Sequence, residues 1–281
     1  MPSRALIVGC GDVGLRVAYA LRALNREVTG VVRSEQSAAA LCATGAGAAL
    51  HDLDSEIGFI TDAPLIFYFA PPPLGGNTDP RLRKFLPSLK AQQRVVYIST
   101  SGVYGDCAGR WIDENEPLKP LSERAHRRLD AERALAQWGG DHVILRVPGI
   151  YGPGRLPLER LQKNLPVIRE SESPFTNRIH ADDLAQAALH AAVHGKSGAA
   201  YNVSDGHPTT MCDYFTRCAA LLQLPPPPQV SVEEARHVFT PAMWSFMEES
   251  KRLVTTRLRD ELHFTPRHLD LASGLLSCIA D

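Results

Sequence analysis

No apolar run in this 281-residue chain approaches the ~20 residues that a helix needs to cross a bilayer. Met1-Pro2-Ser3-Arg4 passes directly into an apolar strand pattern without the layout of a signal peptide. A basic surplus is missing too. Lys and Arg number 30 against 31 Asp and Glu, for a net charge of -1, so there is no electrostatic footprint for nucleic acid or acidic lipid. The six cysteines, at 10, 42, 107, 212, 218 and 278, form no CxxC pair and no His/Cys grouping with zinc-ligand spacing. His190 and His194 are four apart but lack a third ligand and an HExxH glutamate, so no metal is expected. Internal repeats and a disordered tail are also absent. These absences predict a cytoplasmic protein with reduced thiols, acting on a small molecule, with no nucleic-acid or membrane partner.

What the chain does have is a glycine-rich opening. Residues 4–14, Arg-Ala-Leu-Ile-Val-Gly-Cys-Gly-Asp-Val-Gly, place a β-branched apolar run before Gly9, Gly11 and Gly14, followed by a helical pattern. Gly9 permits the tight turn, Gly11 lets backbone amides approach a pyrophosphate, and Gly14 allows close helix–strand packing. The helix starting near Asp12 aims its unpaired amides and positive dipole end at that pyrophosphate. Gly9, Cys10, Gly11, Asp12, Val13 and Gly14 are therefore the first candidate cofactor contacts. Cys10 reads as a small filler of the tight loop, the alternative being a thiol of lowered pKa at a helix start.

Apolar runs then alternate with helical stretches, the signature of βαβ units and a parallel sheet. The patterns predict strands over 5–8, 27–32, 46–50, 65–69, 94–99 and 142–147. Helices are expected over 12–24, 34–43, 80–92 and 118–138. Right-handed crossovers of this kind give an α/β, Rossmann-type doubly wound parallel sheet. After Pro148 the texture becomes rich in Pro and Gly. A helix over 182–194 and a strand over 200–203 return to the sheet, and Pro225–Pro228 forms a rigid linker. The expected organisation is a dinucleotide-binding domain over 1–150, rejoined by 181–205, and a smaller, mostly C-terminal substrate lobe over 151–180 and 206–281.

About 20 residues past the glycines, NAD-selective sites place a carboxylate on the ribose 2′-hydroxyl. Here the second strand ends in Val31-Val32-Arg33-Ser34. Arg33 can neutralise a 2′-phosphate and Ser34 can donate to it, so NADP(H) is favoured over NAD(H). Asp52 and Leu53, after the third strand, could meet the adenine; a plain turn carboxylate is the alternative for Asp52.

With Ser99-Thr100-Ser101-Gly102-Val103-Tyr104-Gly105 the chain resembles the extended short-chain dehydrogenase/reductases, the NAD-dependent epimerase/dehydratase family. The stretches Leu145–Gly154, Arg178–Ala185 and Tyr201–Ser204 agree with later hallmarks of that family, in order. The resemblance implies that Ala70, Pro71, Ser99, Pro148, Gly149 and Ile150 border the cofactor and Ser101 the substrate. Family chemistry uses a Ser or Thr, a Tyr and a Lys around the substrate carbinol. The Ser/Thr falls on Thr100. The Tyr-x-x-x-Lys does not follow, because no tyrosine lies between Gly105 and Ile150 and the lysine there, Lys119, precedes the helix.

Aligning Glu132 with the glutamate that usually follows the pair places Arg124 in the Tyr position and Arg128 in the Lys position; a one-residue slip gives Ala125 and Leu129. Arginine stays protonated, so Arg124 cannot accept a proton, though it could clamp an anionic substrate while Arg128 binds cofactor. The plainer alternative pairs Glu123 with Arg127 and Arg128 with Glu132 along a solvated helix. These losses make the chain similar to the atypical members of the superfamily. A dehydratase is disfavoured further, because Thr100-Ser101-Gly102 stands where dehydratases resemble Thr-Asp-Glu. Tyr104 is expected to pack beside the site, and His180 to anchor the lobe with Asp182 capping the next helix.

The function expected is an NADP(H)-dependent oxidoreductase or epimerase for a small polar or sugar-type substrate with a non-standard catalytic set. Thr100, Arg124 and Arg128 are its catalytic candidates, and Arg155 and Arg178 its substrate clamps. The rival is a non-catalytic NADP(H)-binding redox or metabolite sensor that regulates a partner protein. A homodimer through the helix carrying Arg124 is the family-level expectation for assembly.

Overall fold

Seven parallel strands carry the molecule: β1 (Arg4–Val8), β2 (Glu27–Val32), β3 (Gly47–Leu50), β4 (Leu65–Tyr68), β5 (Arg94–Thr100), β6 (His142–Val147) and β7 (Ala199–Asn202). The computed structural model describes residues 1–55 and 60–279. Strand order is β3-β2-β1-β4-β5-β6-β7, so the direction of winding reverses between β1 and β4. Such a reversal opens a crevice at the carboxyl ends of the strands, and the glycine loop emerges there.

Alternation along the strands assigns each face its helices. Ala5, Ile7, Phe67, Val96 and Leu145 point to one side, where α1 (Asp12–Ala23) contributes Val13, Val17 and Leu21. Leu6, Val8, Tyr68, Tyr97 and Ile144 point to the other, against Leu82 and Phe85 of α3 (Pro80–Phe85) and Ala131 and Leu135 of α4 (Glu123–Trp138). The helix α2 (Glu35–Cys42) follows β2, and α5 (Ala181–His194) lies against α1 through a run of buried alanines.

Two helices are shorter than their sequence patterns, for local reasons. The helix expected over 80–92 stops at Phe85 and continues as a 3₁₀ turn, Leu86–Ser88, because Pro87 has no amide proton and its ring crowds the preceding turn. The helix expected over 118–138 begins at Glu123, after Pro120, and ends at Gly139 in the left-handed region (φ 71°).

A separate apolar cluster forms beyond β6, where α6 (Met211–Leu221) packs Met211, Phe215 and Cys218 against Tyr151, Leu161, Val167 and Ile168. Short strand pairs staple it, Arg178–His180 beside Gly149–Tyr151 and Val167–Ile168 beside Gln229–Val230. The chain then passes through α7 (Pro241–Met247) and pairs Arg252–Leu253 with Trp111–Ile112, which brings it back over α4. Among the described residues, no helix is long and apolar enough to cross a membrane.

Candidate functional site

A cleft of about 630 Å³ opens at the winding reversal, lined by the glycine loop, the ends of β2 and β4, and Arg128, Ile150 and Arg155 opposite. Gly9 has φ 85°, and a Cβ there would lie 2.4 Å from the Ala70 amide nitrogen, so the loop closes on β4 only with glycine. A Cβ on Gly14 would sit 3.2 Å from both Cys10 Sγ and the Gly9 carbonyl. At Gly11 the surroundings are open, with nothing within 4 Å of an added Cβ. Gly11 is also the N-cap of α1, and no side chain caps that helix, so its first amides face the cleft. This cradle fits a dinucleotide pyrophosphate. Cys10 is buried against Gly14 and Gly30, and burial pushes its thiol up to about 12, opposite to the lowered-pKa alternative.

At the far end of the cleft Arg33 is exposed and makes no hydrogen bond or ion pair among the described residues. Ser34 caps α2 by accepting the Ser37 amide at 3.2 Å, and Ser37, one turn further, lines the cleft in its place. His51, Asp52 and Leu53 complete this end. Arg81 of α3 also lines it, paired with Asp54 and donating to the Pro71 carbonyl at 2.7 Å. Its contribution was invisible in sequence, since nothing local ties position 81 to the loop after β3.

Toward the inner end the walls are Phe69, Ala70, Pro71, Ile98 and Ile150. Arg128 enters between them, donating to the Ile98 carbonyl at 2.8 Å and the Tyr97 hydroxyl at 3.1 Å. Thr100 ends β5, and its Oγ1 accepts the Gly102 amide at 3.1 Å; Ser101 is buried at the start of the following 3₁₀ turn, Ser101–Tyr104. Pro148 and Gly149 precede Ile150, with Gly149 against the Arg178 guanidinium. Arg178 itself turns into the lobe core, 3.9 Å over the Tyr214 ring and 3.2 Å from Met211 Sδ, and burial lowers its pKa. Arg124 leaves the cleft for α7, where it donates to Ser245 Oγ at 2.6 Å and the Ser245 carbonyl at 3.0 Å and covers the Phe246 ring. Neither residue lines the cleft, nor do Ser34, Ser99, Thr100, Ser101, Pro148 or Gly149, whereas Arg155 does, bonded to Asp12.

Residues 83–204 match the NAD dependent epimerase/dehydratase family. A solved structure of a functionally unknown conserved protein from Silicibacter pomeroyi superposes with a TM-score of 0.87 at 30% identity, covering 99% of this chain and 98% of that one. The chain belongs to the NAD-dependent epimerase/dehydratase family. Protein YeeZ of Escherichia coli is 27% identical over 239 residues, 80% of this chain and 85% of that protein. The dTDP-glucose 4,6-dehydratase of Bacillus anthracis, solved in complex with NAD, shares the fold with a TM-score of 0.75 at 15% identity, over 99% of this chain and 95% of that one.

Within this family frame, the space behind the cleft is filled by a buried polar chain. Glu132 accepts Ser99 Oγ at 2.5 Å and Arg146 Nη2 at 2.9 Å, and Arg146 Nη1 donates to the Tyr104 hydroxyl at 3.0 Å. Tyr104 donates onward to Asn202 at 2.7 Å. Tyr104 is buried behind the cleft and hydrogen-bonded on both sides, and burial pushes its phenol up to about 12. The solvated-helix alternative for α4 is corrected here. Glu123 and Arg127 do approach to 3.6 Å, but Glu132 turns inward to Arg146 and Arg128 turns to β5.

His180 is buried, and its Nδ1 accepts the Asp182 amide at 3.2 Å, so the histidine caps α5 where Asp182 was expected to. Asp182 pairs with Arg16 instead, and Asp183 anchors the lobe by accepting the Arg267 and His268 amides at 2.8 and 2.9 Å. His180, Asp182 and His268 place ligand atoms within 4.8 Å of one another. Both His180 nitrogens are already engaged, Nδ1 by the Asp182 amide and Nε2 facing Ser277 Oγ at 3.1 Å.

Proposed function

We propose that the protein is an NADP(H)-dependent oxidoreductase or epimerase acting on a small polar or sugar-type substrate. The observation that carries this reading is Arg33, an unpaired guanidinium at the end of β2 lining the cleft beside Ser37, where a carboxylate would otherwise receive the ribose. A 2′-phosphate would bond directly to Arg33, which has, among the described residues, only a through-space interaction with Asp54, and Ser37 can donate to it. When bound, the dinucleotide would supply hydride transfer. Thr100 Oγ1 accepts from Gly102 and so keeps its own proton free to orient a substrate oxygen. Arg128, fixed to β5 through Nη1, has its remaining donors available for cofactor ribose or phosphate.

NADPH oxidation across aldehydes, ketones and sugar nucleotides tests this, with Thr100→Ala expected to abolish turnover. One observation favours a second reading, a non-catalytic NADP(H) sensor: neither tyrosine nor lysine lines the cleft among the described residues. Tight NADPH binding with no turnover on any carbonyl class would select it.

A further inference from the structure

Arg155 reaches the glycine loop from the far side of the cleft. It sits on the Gly152-Pro153-Gly154 turn, its amide bonded to the Gly152 carbonyl at 3.0 Å, with Gly152 and Gly154 at φ 147° and 72°. Its Nε donates to Asp12 Oδ2, at the first residue of α1. Asp12 already has a partner on its own helix, Arg16, whose Nε meets Oδ1 at 2.9 Å, and Arg16 also pairs with Asp182. Burial alone would raise the Asp12 carboxyl, but hydrogen bonds from Arg155 and Arg16 hold it below its ordinary value. Two carboxylates and two guanidiniums thus balance without any ligand.

A pyrophosphate on the first amides of α1 disturbs that balance, because it brings two negative charges next to the Asp12 carboxylate. Arg16 is held between two carboxylates, whereas Arg155 is held by one. The side chain of Arg155 is 34% exposed and bonded to a carboxylate outside the apolar core, so the arginine can leave Asp12 without opening a void. Its planar fork suits phosphate bidentately.

We propose that Arg155 is a dinucleotide-responsive latch, held by Asp12 and transferring to the pyrophosphate on binding, which fastens the 152–162 segment over the cleft. This rests on the dinucleotide reading above. NADPH titration by fluorescence, with hydrogen exchange of peptides spanning 152–162, tests it on the full chain. Arg155→Ala should weaken NADPH binding about tenfold and Arg155→Lys by less, since a hydrogen bond to a charged group is lost or reduced. In the wild type, protection of 152–162 should rise on binding, and in Arg155→Ala it should not. Asp12→Asn, which frees the arginine and removes a like charge, should bind NADPH more tightly than the wild type. Unchanged affinity in Arg155→Ala, or unchanged protection in the wild type, overturns the latch. Failure of the wild type to bind any dinucleotide overturns instead the cofactor reading on which it rests.

Discussion

Replacing Glu132 by alanine strips the counter-charge from a guanidinium that water cannot reach. Arg146 has a side chain 7% exposed, and after the change it keeps, among the described residues, only the Tyr104 hydroxyl at 3.0 Å and the Glu114 carbonyl at 3.2 Å. Breaking a buried pair on one side costs about 3–5 kcal/mol. Ser99 Oγ also loses its acceptor, worth about 1 kcal/mol more. A loss of about 4–6 kcal/mol is a large part of the roughly 5–15 kcal/mol that stabilises a typical domain. At about 2 °C per kcal/mol for a chain of this size, the Tm should fall by about 8–12 °C. Urea unfolding followed by circular dichroism, alongside calorimetry at pH 7.5, measures both quantities. The double variant E132M/R146M leaves no unpaired charge and should recover most of the loss. A cost below about 1 kcal/mol for E132A would refute the reasoning, because the pair would then behave like a solvated surface bridge.

Arg33→Ala should lower NADPH affinity while leaving NADH affinity near its original value; an unchanged ratio of the two would remove the 2′-phosphate assignment. Gly11→Val should fold normally, since its Cβ meets nothing within 4 Å, yet lose dinucleotide binding, whereas Gly9→Ala should be destabilised by its 2.4 Å approach to Ala70. Equal Tm losses for the two would contradict the cradle. Burial pushes the Asp205 carboxyl up to about 7. The folded chain therefore holds that proton more tightly than the unfolded one, and this contribution, complete below about pH 4, is lost as pH rises toward 7. Asp205→Asn should accordingly raise stability at pH 8 by about 1–2 kcal/mol and flatten the dependence between pH 5 and 8. An unchanged urea midpoint at pH 8 would count against it.

What could be read from the chain was what depends on neighbours in sequence. The spacing of Gly9, Gly11 and Gly14 sets a turn, an opening and a packing contact within one strand–helix unit, and Arg33 follows from counting along the next strand. The alternation of Ala5 and Ile7 against Leu6 and Val8 divides the faces of the sheet. The positions that escaped are joined by tertiary contacts. Glu132 has an arginine four residues before it, yet its charge goes to Arg146 on the neighbouring strand, because that side of α4 faces the sheet. Arg81 and Ser37 reach the cleft through helices whose orientation no local pattern fixes. Likewise Asp12 and Arg155, 143 positions apart, meet only because the chain after β6 folds back over the loop.

In the register set by Glu132, the residues at the family's Tyr and Lys positions both hold other attachments. Arg124 holds α7 through Ser245 and Phe246, and Arg128 is fastened to the backbone of β5. Putting tyrosine and lysine back would therefore not restore a dormant reaction centre. A tyrosine at 124 gives up both bonds to Ser245 and releases the segment that crosses α4, and a lysine at 128 trades a planar fork for a single ammonium. In this chain the two positions serve as fasteners of the scaffold, so an engineered path to a tyrosine–lysine pair there starts from a rebuilt 241–247 segment.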